Sequence, residues 1–271
     1  MTAMATRAAK LLAFDQPLAG ASVIITRPSA SAAAIRRRVR ALGGSPIGIP
    51  GSVLEAVADA AAARRQLRLV RTADIVVFVS PAAVRFAWKL LPALRFARAT
   101  RVLAPGAGSA RALRRRGVAE PIYPAQRQDS EGLLALPQLG RVRRCRVALI
   151  GATGGRDLLP RQLRARGARL QQVEVYSRSA PRLDRRHFMR LERASGPLIS
   201  LFSSAEALTH LHAQLPASLF AHLAAGECIV SSKRLAEVAR TLGFARVHVA
   251  ASPAPAALLG AAGAALARHR L

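Results

Sequence analysis

The sequence predicts an α/β protein of two similar domains, each a parallel sheet covered by helices on both faces. Three observations carry that expectation. Apolar runs of four to six residues alternate with helix-like segments, the pattern of βαβ units. The same order of units recurs about 124 residues further on. The helix-like segments stop at glycine, at Gly43, Gly117, Gly167 and Gly243, where a C-terminal cap needs left-handed backbone.

The elements can be taken in order. Ser22-Val-Ile-Ile-Thr-Arg-Pro opens the first unit, whose helix ends at Arg40-Ala-Leu-Gly-Gly. Its counterpart is Arg146-Val-Ala-Leu-Ile-Gly with a helix ending at Arg166-Gly-Ala, and Val23 to Val147 is an offset of 124. Asp74-Ile-Val-Val-Phe-Val-Ser-Pro is matched by Pro197-Leu-Ile-Ser-Leu-Phe-Ser-Ser, and Ser80 to Ser203 is an offset of 123. Arg101-Val-Leu-Ala and its helix are matched by Glu227-Cys-Ile-Val and its helix, with Leu103 to Ile229 an offset of 126. Three near-equal offsets in register imply a duplicated architecture.

Composition bounds the function. With 271 residues and 51% hydrophobic content the chain can bury two cores. Residues 250–267 are Ala-rich and broken by Pro253 and Pro255, so they read as a loop and a closing helix rather than a bilayer span. The N-terminal stretch has no long apolar core and reads as a tail; a basic targeting segment stays open. Two cysteines, Cys145 and Cys228, form no disulfide framework, read as buried structural thiols, and fit a reducing cytoplasm. The net charge of +28 attracts polyanions, whether nucleic acid, acidic membrane or a polycarboxylate. That charge is arginine spread over nearly every helix, so it names no partner by itself.

In open parallel sheets ligands sit beyond the carboxyl ends of the strands, and two such domains facing each other would form a cleft. The residues following the strands are therefore the candidates: Arg27; Ser80, Pro81 and Ala82; Ser109; Gly154, Gly155 and Arg156; Ser203 and Ser204; Ser231, Ser232 and Lys233. Hydroxyls, glycines and sparse cations at helix starts suit carboxylate or phosphate oxygens. The alternative for each serine is that it only caps its own helix. Gly151-Ala-Thr-Gly-Gly-Arg156 lacks the Gly-Lys-Ser/Thr ending of a nucleotide-hydrolysing loop. The six histidines show no metal-ligand spacing and read as surface residues. Asp129 or Ser130 reads as a helix cap. Tyr176 ends the strand Gln172-Val-Glu-Val-Tyr; its phenol either donates a proton to a ligand or fills the hinge as an amphipathic ring.

These residues resemble uroporphyrinogen-III synthases. Ile25-Thr-Arg-Pro28 is similar to the family's opening turn, and Phe78-Val-Ser-Pro-Ala-Ala-Val84 to its Phe-Thr-Ser-x-x-Ala-Val signature. Tyr123-Pro124 with Asp129-Ser-Glu-Gly-Leu-Leu134, Gly154-Gly-Arg156, Val175-Tyr176, and Ser231 with Arg234-Leu-Ala-Glu-Val-Ala continue the likeness over residues 19–267. The chain departs from the pattern at Val79, where threonine is usual, and at Gly151, where many bacterial members carry arginine. A third departure is the Ala104-Pro-Gly-Ala-Gly-Ser109 turn.

The resemblance implies two similar flavodoxin-like parallel-sheet domains joined by a two-segment linker. A tail (1–18) would precede a discontinuous first domain (19–50 with 179–267), a second domain (53–176) and a short tail (268–271). It implies an enzyme, a cyclising hydro-lyase of tetrapyrrole (haem) biosynthesis that needs no cofactor. The substrate would be hydroxymethylbilane, closed with inversion of ring D through a spiro intermediate, with Tyr176 as proton donor to the leaving hydroxyl. A monomer is expected, receiving its substrate from hydroxymethylbilane synthase, with no metal, membrane or specific nucleic acid as partner. Two other readings stay open: a non-catalytic binder of a small polyanion, and a nucleic-acid-binding protein, the latter disfavoured by an aromatic content of 4%.

Overall fold

A computed structural model describes residues 16–155 and 157–268. The expected terminal tails fall largely outside the described residues, as do Arg156 and His269. The chain forms two compact units: one runs through Val53 and resumes at Ser179, and the other is Leu54–Arg178.

The first unit begins with β1 (Ser22–Ile25), α1 (Ser29–Ala41) and β2 (Ser45–Gly48). The second follows as β3 (Val53–Ala56), α2 (Ala60–Leu69), β4 (Ile75–Phe78), α3 (Pro81–Leu90), β5 (Arg101–Leu103) and α4 (Ala107–Arg114). It continues through α5 (Ser130–Leu134), α6 (Pro137–Gly140), β6 (Arg146–Ala152), α7 (Leu158–Ala165) and β7 (Arg169–Ser179). The chain then completes the first unit with α8 (Arg185–Glu192), β8 (Leu198–Phe202), α9 (Ala205–Gln214), α10 (Ala217–Ala224) and β9 (Glu227–Val230). Last come α11 (Lys233–Thr241), β10 (Arg246–Val249) and α12 (Pro255–Ala267).

Each unit has one five-stranded sheet, ordered β10-β9-β8-β1-β2 in the first and β3-β7-β6-β4-β5 in the second. The β1–β2, β1–β8, β8–β9 and β9–β10 pairs are parallel, as are β4–β5, β4–β6 and β6–β7. Both faces of the central strands are buried, which is why they read as unbroken apolar runs. In β4, Val76 and Phe78 pack with α2, α3 and α4, while Ile75 and Val77 pack with α5, α6 and α7. In β1, Val23 and Ile25 pack with α1 and α12, and Ile24 packs with the cluster of α8 to α11. The expected closing helix is α12, with Leu258, Leu259, Ala262, Ala265 and Leu266 buried.

The topology explains the repeat offsets. The half built from β1, α1 and β2 corresponds to β6, α7 and β7; the half from β8 to β9 corresponds to β4 to β5. Sheet neighbours agree, since β2-β1-β8-β9 in one unit matches β7-β6-β4-β5 in the other. The two units are thus the same doubly wound arrangement with their halves entered in opposite order.

Gly43, Gly117, Gly167 and Gly243 have φ of +83°, +86°, +80° and +96°, in keeping with their expected role as helix stops. Three features lay beyond the sequence reading. β2 is a strand that no apolar run announced, β10 forms an outer strand, and β7 runs on past Tyr176 to Ser179.

Candidate functional site

In a doubly wound sheet the crevice opens where neighbouring strands send their helices to opposite faces. In the first unit that point lies between β1 and β8, and in the second between β4 and β6. The turns after these strands hold most of the candidate residues.

In the second unit, β4 ends at Phe78 and the chain turns through Val79 and Ser80 into α3. Ser80 is the helix cap: its Oγ accepts the Ala83 N–H at 3.0 Å, and Pro81 takes the first helical position, where its missing N–H costs nothing. Tyr176 comes from β7, two strands away across β6. Its hydroxyl lies 3.1 Å from Ser80 Oγ, and Arg178 Nη2 donates to the same phenol oxygen at 3.4 Å. The ring is stacked on Phe86 with centroids 5.3 Å apart and is only 1% exposed. Ser80, by contrast, is half-buried and reaches solvent. Of the two hydroxyl-bearing residues, the tyrosine is covered in this structure and Ser80 is the one that reaches solvent. A serine oxygen has two lone pairs and one proton. Either hydroxyl can donate in the bond between them; when the phenol donates, with Ala83 N–H on the other lone pair, the serine proton is left to point outward. Arg178, which can only donate, occupies one lone pair of the phenol oxygen.

The β6 turn lies beside it. Thr153 N–H donates to Tyr176 O at 2.9 Å, and the Thr153 hydroxyl binds the Glu174 carboxylate at 2.9 Å. Gly154, with φ of +67°, and Gly155 are exposed. Arg156 is outside the described residues. Gly151 and Val79, the two departures in this region, face each other: a Cβ on Gly151 would lie 2.8 Å from Val79 Cγ2.

In the first unit Thr26 is buried and donates to Leu201 O at 2.7 Å, tying the β1 turn to β8. Arg27 is bonded through Nη2 to the Pro253 carbonyl, while its Nε is buried and has no partner among the described residues. Burial lowers the Arg27 pKa from its usual value. Ser204 caps α9 by accepting Ala207 N–H at 3.3 Å, so Ser204, rather than Ser203, is the counterpart of Ser80. Ser232 caps α11 in the same way through Leu235 N–H at 3.3 Å, with Ser231 beside it and Lys233 exposed. Ser109 differs: it lies inside α4 and is 3% exposed, with Gly106 at the cap position. Its hydroxyl faces protein, not solvent. Pro81 is exposed and Ala82 half-buried beside the Ser80 cap.

Several side chains serve the fold instead. Asp129 caps α5 through Gly132 N–H at 2.8 Å. The expectation of surface histidines is corrected for three of them. His187 completes a capping box with Asp184, His210 Nδ1 meets Gly51 O at 2.8 Å, and His248 Nε2 meets the buried Glu227 carboxylate at 2.5 Å. Of the cysteines, Cys228 is buried but Cys145 is half-buried. Among the described residues no three His, Cys, Asp or Glu side chains come together to hold a metal, and no helix is long and apolar enough to cross a membrane.

Both units are doubly wound α/β sheets, the class whose ligand crevice lies at the carboxyl ends of the strands. The relatives narrow the class. The family described as uroporphyrinogen-III synthase HemD matches residues 33–260. The uroporphyrinogen-III synthase of Salmonella typhimurium is 33% identical over 249 residues, which is 89% of this chain and 99% of that protein. That of Escherichia coli is 31% identical over the same shares. The chain belongs to the uroporphyrinogen-III synthase family. In fold it resembles a mutant uroporphyrinogen III synthase from Thermus thermophilus (TM-score 0.58, 21% identity, 92% of this chain and 99% of that one). It also resembles the uroporphyrinogen-III synthetase of Helicobacter pylori (TM-score 0.54, 14% identity, 90% and 98%).

Proposed function

We propose that this chain is a cyclising lyase that closes hydroxymethylbilane to uroporphyrinogen III, inverting the last pyrrole. The observation that carries the reading is membership of the family over both units, at 33% identity to a relative of which 99% is covered. Hydroxymethylbilane bears eight carboxylates, and the strand-end turns offer hydroxyls in both units and the cations Arg27 and Lys233 in the first to hold them. Holding one folded conformer is most of the catalysis, because the bilane closes without help to the uninverted isomer.

Loss of the terminal hydroxyl is the step that needs a proton. As the C–O bond breaks, its electron pair leaves with oxygen, which takes the Ser80 proton. Ser80 takes the Tyr176 proton in the same motion, and the phenolate is left against the Arg178 guanidinium, to be reprotonated by solvent after release. Tyr176 is the donor at one remove, through Ser80. The azafulvene so formed attacks the substituted carbon of the far pyrrole, and the spiro intermediate fragments and recloses. We further propose a monomer working in the cytoplasm on bilane received from hydroxymethylbilane synthase. The unpaired Cys145 and Cys228 agree with a reducing compartment.

The test is product isomerism. Purified protein is mixed with freshly generated hydroxymethylbilane, the products are oxidised, and type I and type III uroporphyrins are separated by chromatography. Predominantly type III product is expected. Type I at the proportion found without protein would refute the activity and favour a non-catalytic binder.

A further inference from the structure

Among the described residues β2 is the outermost strand of the first unit's sheet and pairs with β1 alone. Ser45 N–H donates to Ala21 O at 2.8 Å and Ile49 N–H to Ile25 O at 3.2 Å. In a parallel ladder alternate residues bond to the same neighbour, so residues 45, 47 and 49 face β1 while 46 and 48 face out. Pro46 has no N–H. The amide that β2 turns outward is therefore that of Gly48.

Three arginines surround it. Arg36 comes from α1, which packs on one face of the sheet through Ile35 and Val39. Arg190 and Arg193 come from α8 and its end, on the opposite face, where Leu191 packs against Ile24 and Ile49. With Pro46, Ile47 and Gly48 they line a recess of about 410 Å³. A Cβ at position 48 would collide with the Arg36 guanidinium, so glycine is what lets that group lie over the strand edge. Arg36 Nε is buried, with no hydrogen-bond partner among the described residues. Among the described residues none of the three arginines forms an ion pair.

Like charges gathered in one recess repel, and a buried donor without a partner costs free energy. A bound oxyanion removes both penalties. Guanidinium forks match the oxygens of phosphate or carboxylate two at a time, and an outward N–H adds a further donor. We propose that the outer edge of β2 is a binding site for a small multiply charged oxyanion, held by Arg36, Arg190, Arg193 and the Gly48 amide. The proposal does not depend on the reaction proposed above. The same chemistry could come from a free phosphate compound or from neighbouring carboxylates of a tetrapyrrole.

Isothermal titration at fixed ionic strength distinguishes them, using inorganic pyrophosphate in one series and uroporphyrin III in the other. One saturable site is expected for at least one probe, and the probe that binds identifies the source. Arg36→Gln/Arg193→Gln should weaken it at least tenfold, and so should Gly48→Ala, with circular dichroism and melting confirming that both variants fold. Arg115→Gln/Arg116→Gln removes the same charge from an exposed stretch of the second unit and should leave affinity unchanged. Absence of binding by both probes, or unchanged affinity in Arg36→Gln/Arg193→Gln, would overturn the proposal. An equal loss in the Arg115→Gln/Arg116→Gln control would also do so, since binding would then be charge screening only.

Discussion

Replacing Gly151 by alanine should destabilise the second unit, because the place of its side chain is already taken. The new Cβ would stand 2.8 Å from Val79 Cγ2, closer than the 3.0 Å limit that such carbons respect. Val79 cannot retreat easily, since its N–H is bonded to Ile150 O at 3.1 Å and its side chain packs on the cluster of β4, β6 and α7. Gly151 does not use left-handed backbone, so conformational strain adds nothing. Overpacking of this kind costs about 1–3 kcal/mol, against about 0.4–1 kcal/mol gained by stiffening the unfolded chain, leaving about 1–2 kcal/mol of destabilisation. Trp88, the sole tryptophan, is buried in this unit 5.6 Å from Phe78, so its fluorescence reports unfolding there. With a urea slope of about 2 kcal/mol/M, the midpoint should fall by roughly 0.5–1 M. Val79→Ala alone should cost about 1 kcal/mol, yet in the double variant it should relieve the clash, giving a coupling of about 1–2 kcal/mol. A Gly151→Ala midpoint within about 0.2 M of the parent, or strictly additive costs, would refute the packing argument.

Three further outcomes are expected. Tyr176→Phe keeps the stack on Phe86 but removes the proton from the chain to Ser80, so the rate of type III product should fall about 10²-fold while stability drops by only about 1 kcal/mol; full rate in a folded variant would end the role. Burial pushes the Cys228 thiol up to about 12 from its usual 9.0, so the native state holds the thiol neutral. Its contribution to stability is complete below pH 9 and is lost as pH rises toward 12, and Cys228→Ala should flatten that part of an alkaline unfolding curve; an unchanged curve would contradict it. Glu227, whose side chain is 4% exposed, holds Arg246 Nε at 2.6 Å and His248 Nε2 at 2.5 Å on the outer strand. Glu227→Gln should speed hydrogen exchange at His248 and Ala250, whose amides face β9, about tenfold, as about 1.4 kcal/mol of local opening would require, whereas unaltered protection would show that the pair does not hold β10.

The central strands were legible because burial on both faces leaves an uninterrupted apolar run, as in Ile75-Val-Val-Phe and Leu198-Ile-Ser-Leu-Phe. The outer strands were not: Ser45-Pro-Ile-Gly and Arg246-Val-His-Val are short and partly exposed, and pairing with one neighbour decides them. The offset of the repeat was visible, yet its crossing between units was not, since it depends on which strands pair. Ser80 and Ser232 could be read as caps from their place before a helix. In the Ser203-Ser204 pair only the geometry selects Ser204. The burial of Tyr176 and Ser109 had no local signal. Nor did the meeting of Arg36, Arg190 and Arg193, because a chain this rich in arginine offers no contrast by which three converging ones stand out.

The opposite order of the halves has a consequence during synthesis. The second unit is one continuous stretch and can fold as soon as it emerges. The half made of β1, α1 and β2 cannot complete its sheet, because Ser22 pairs with Leu198, which is 176 residues later. At a translation rate of about 5–20 residues per second, that half waits roughly 9 to 35 s with one edge of β1 open. The shortness of β1, four residues, limits its pairing with a neighbouring nascent chain in the interval.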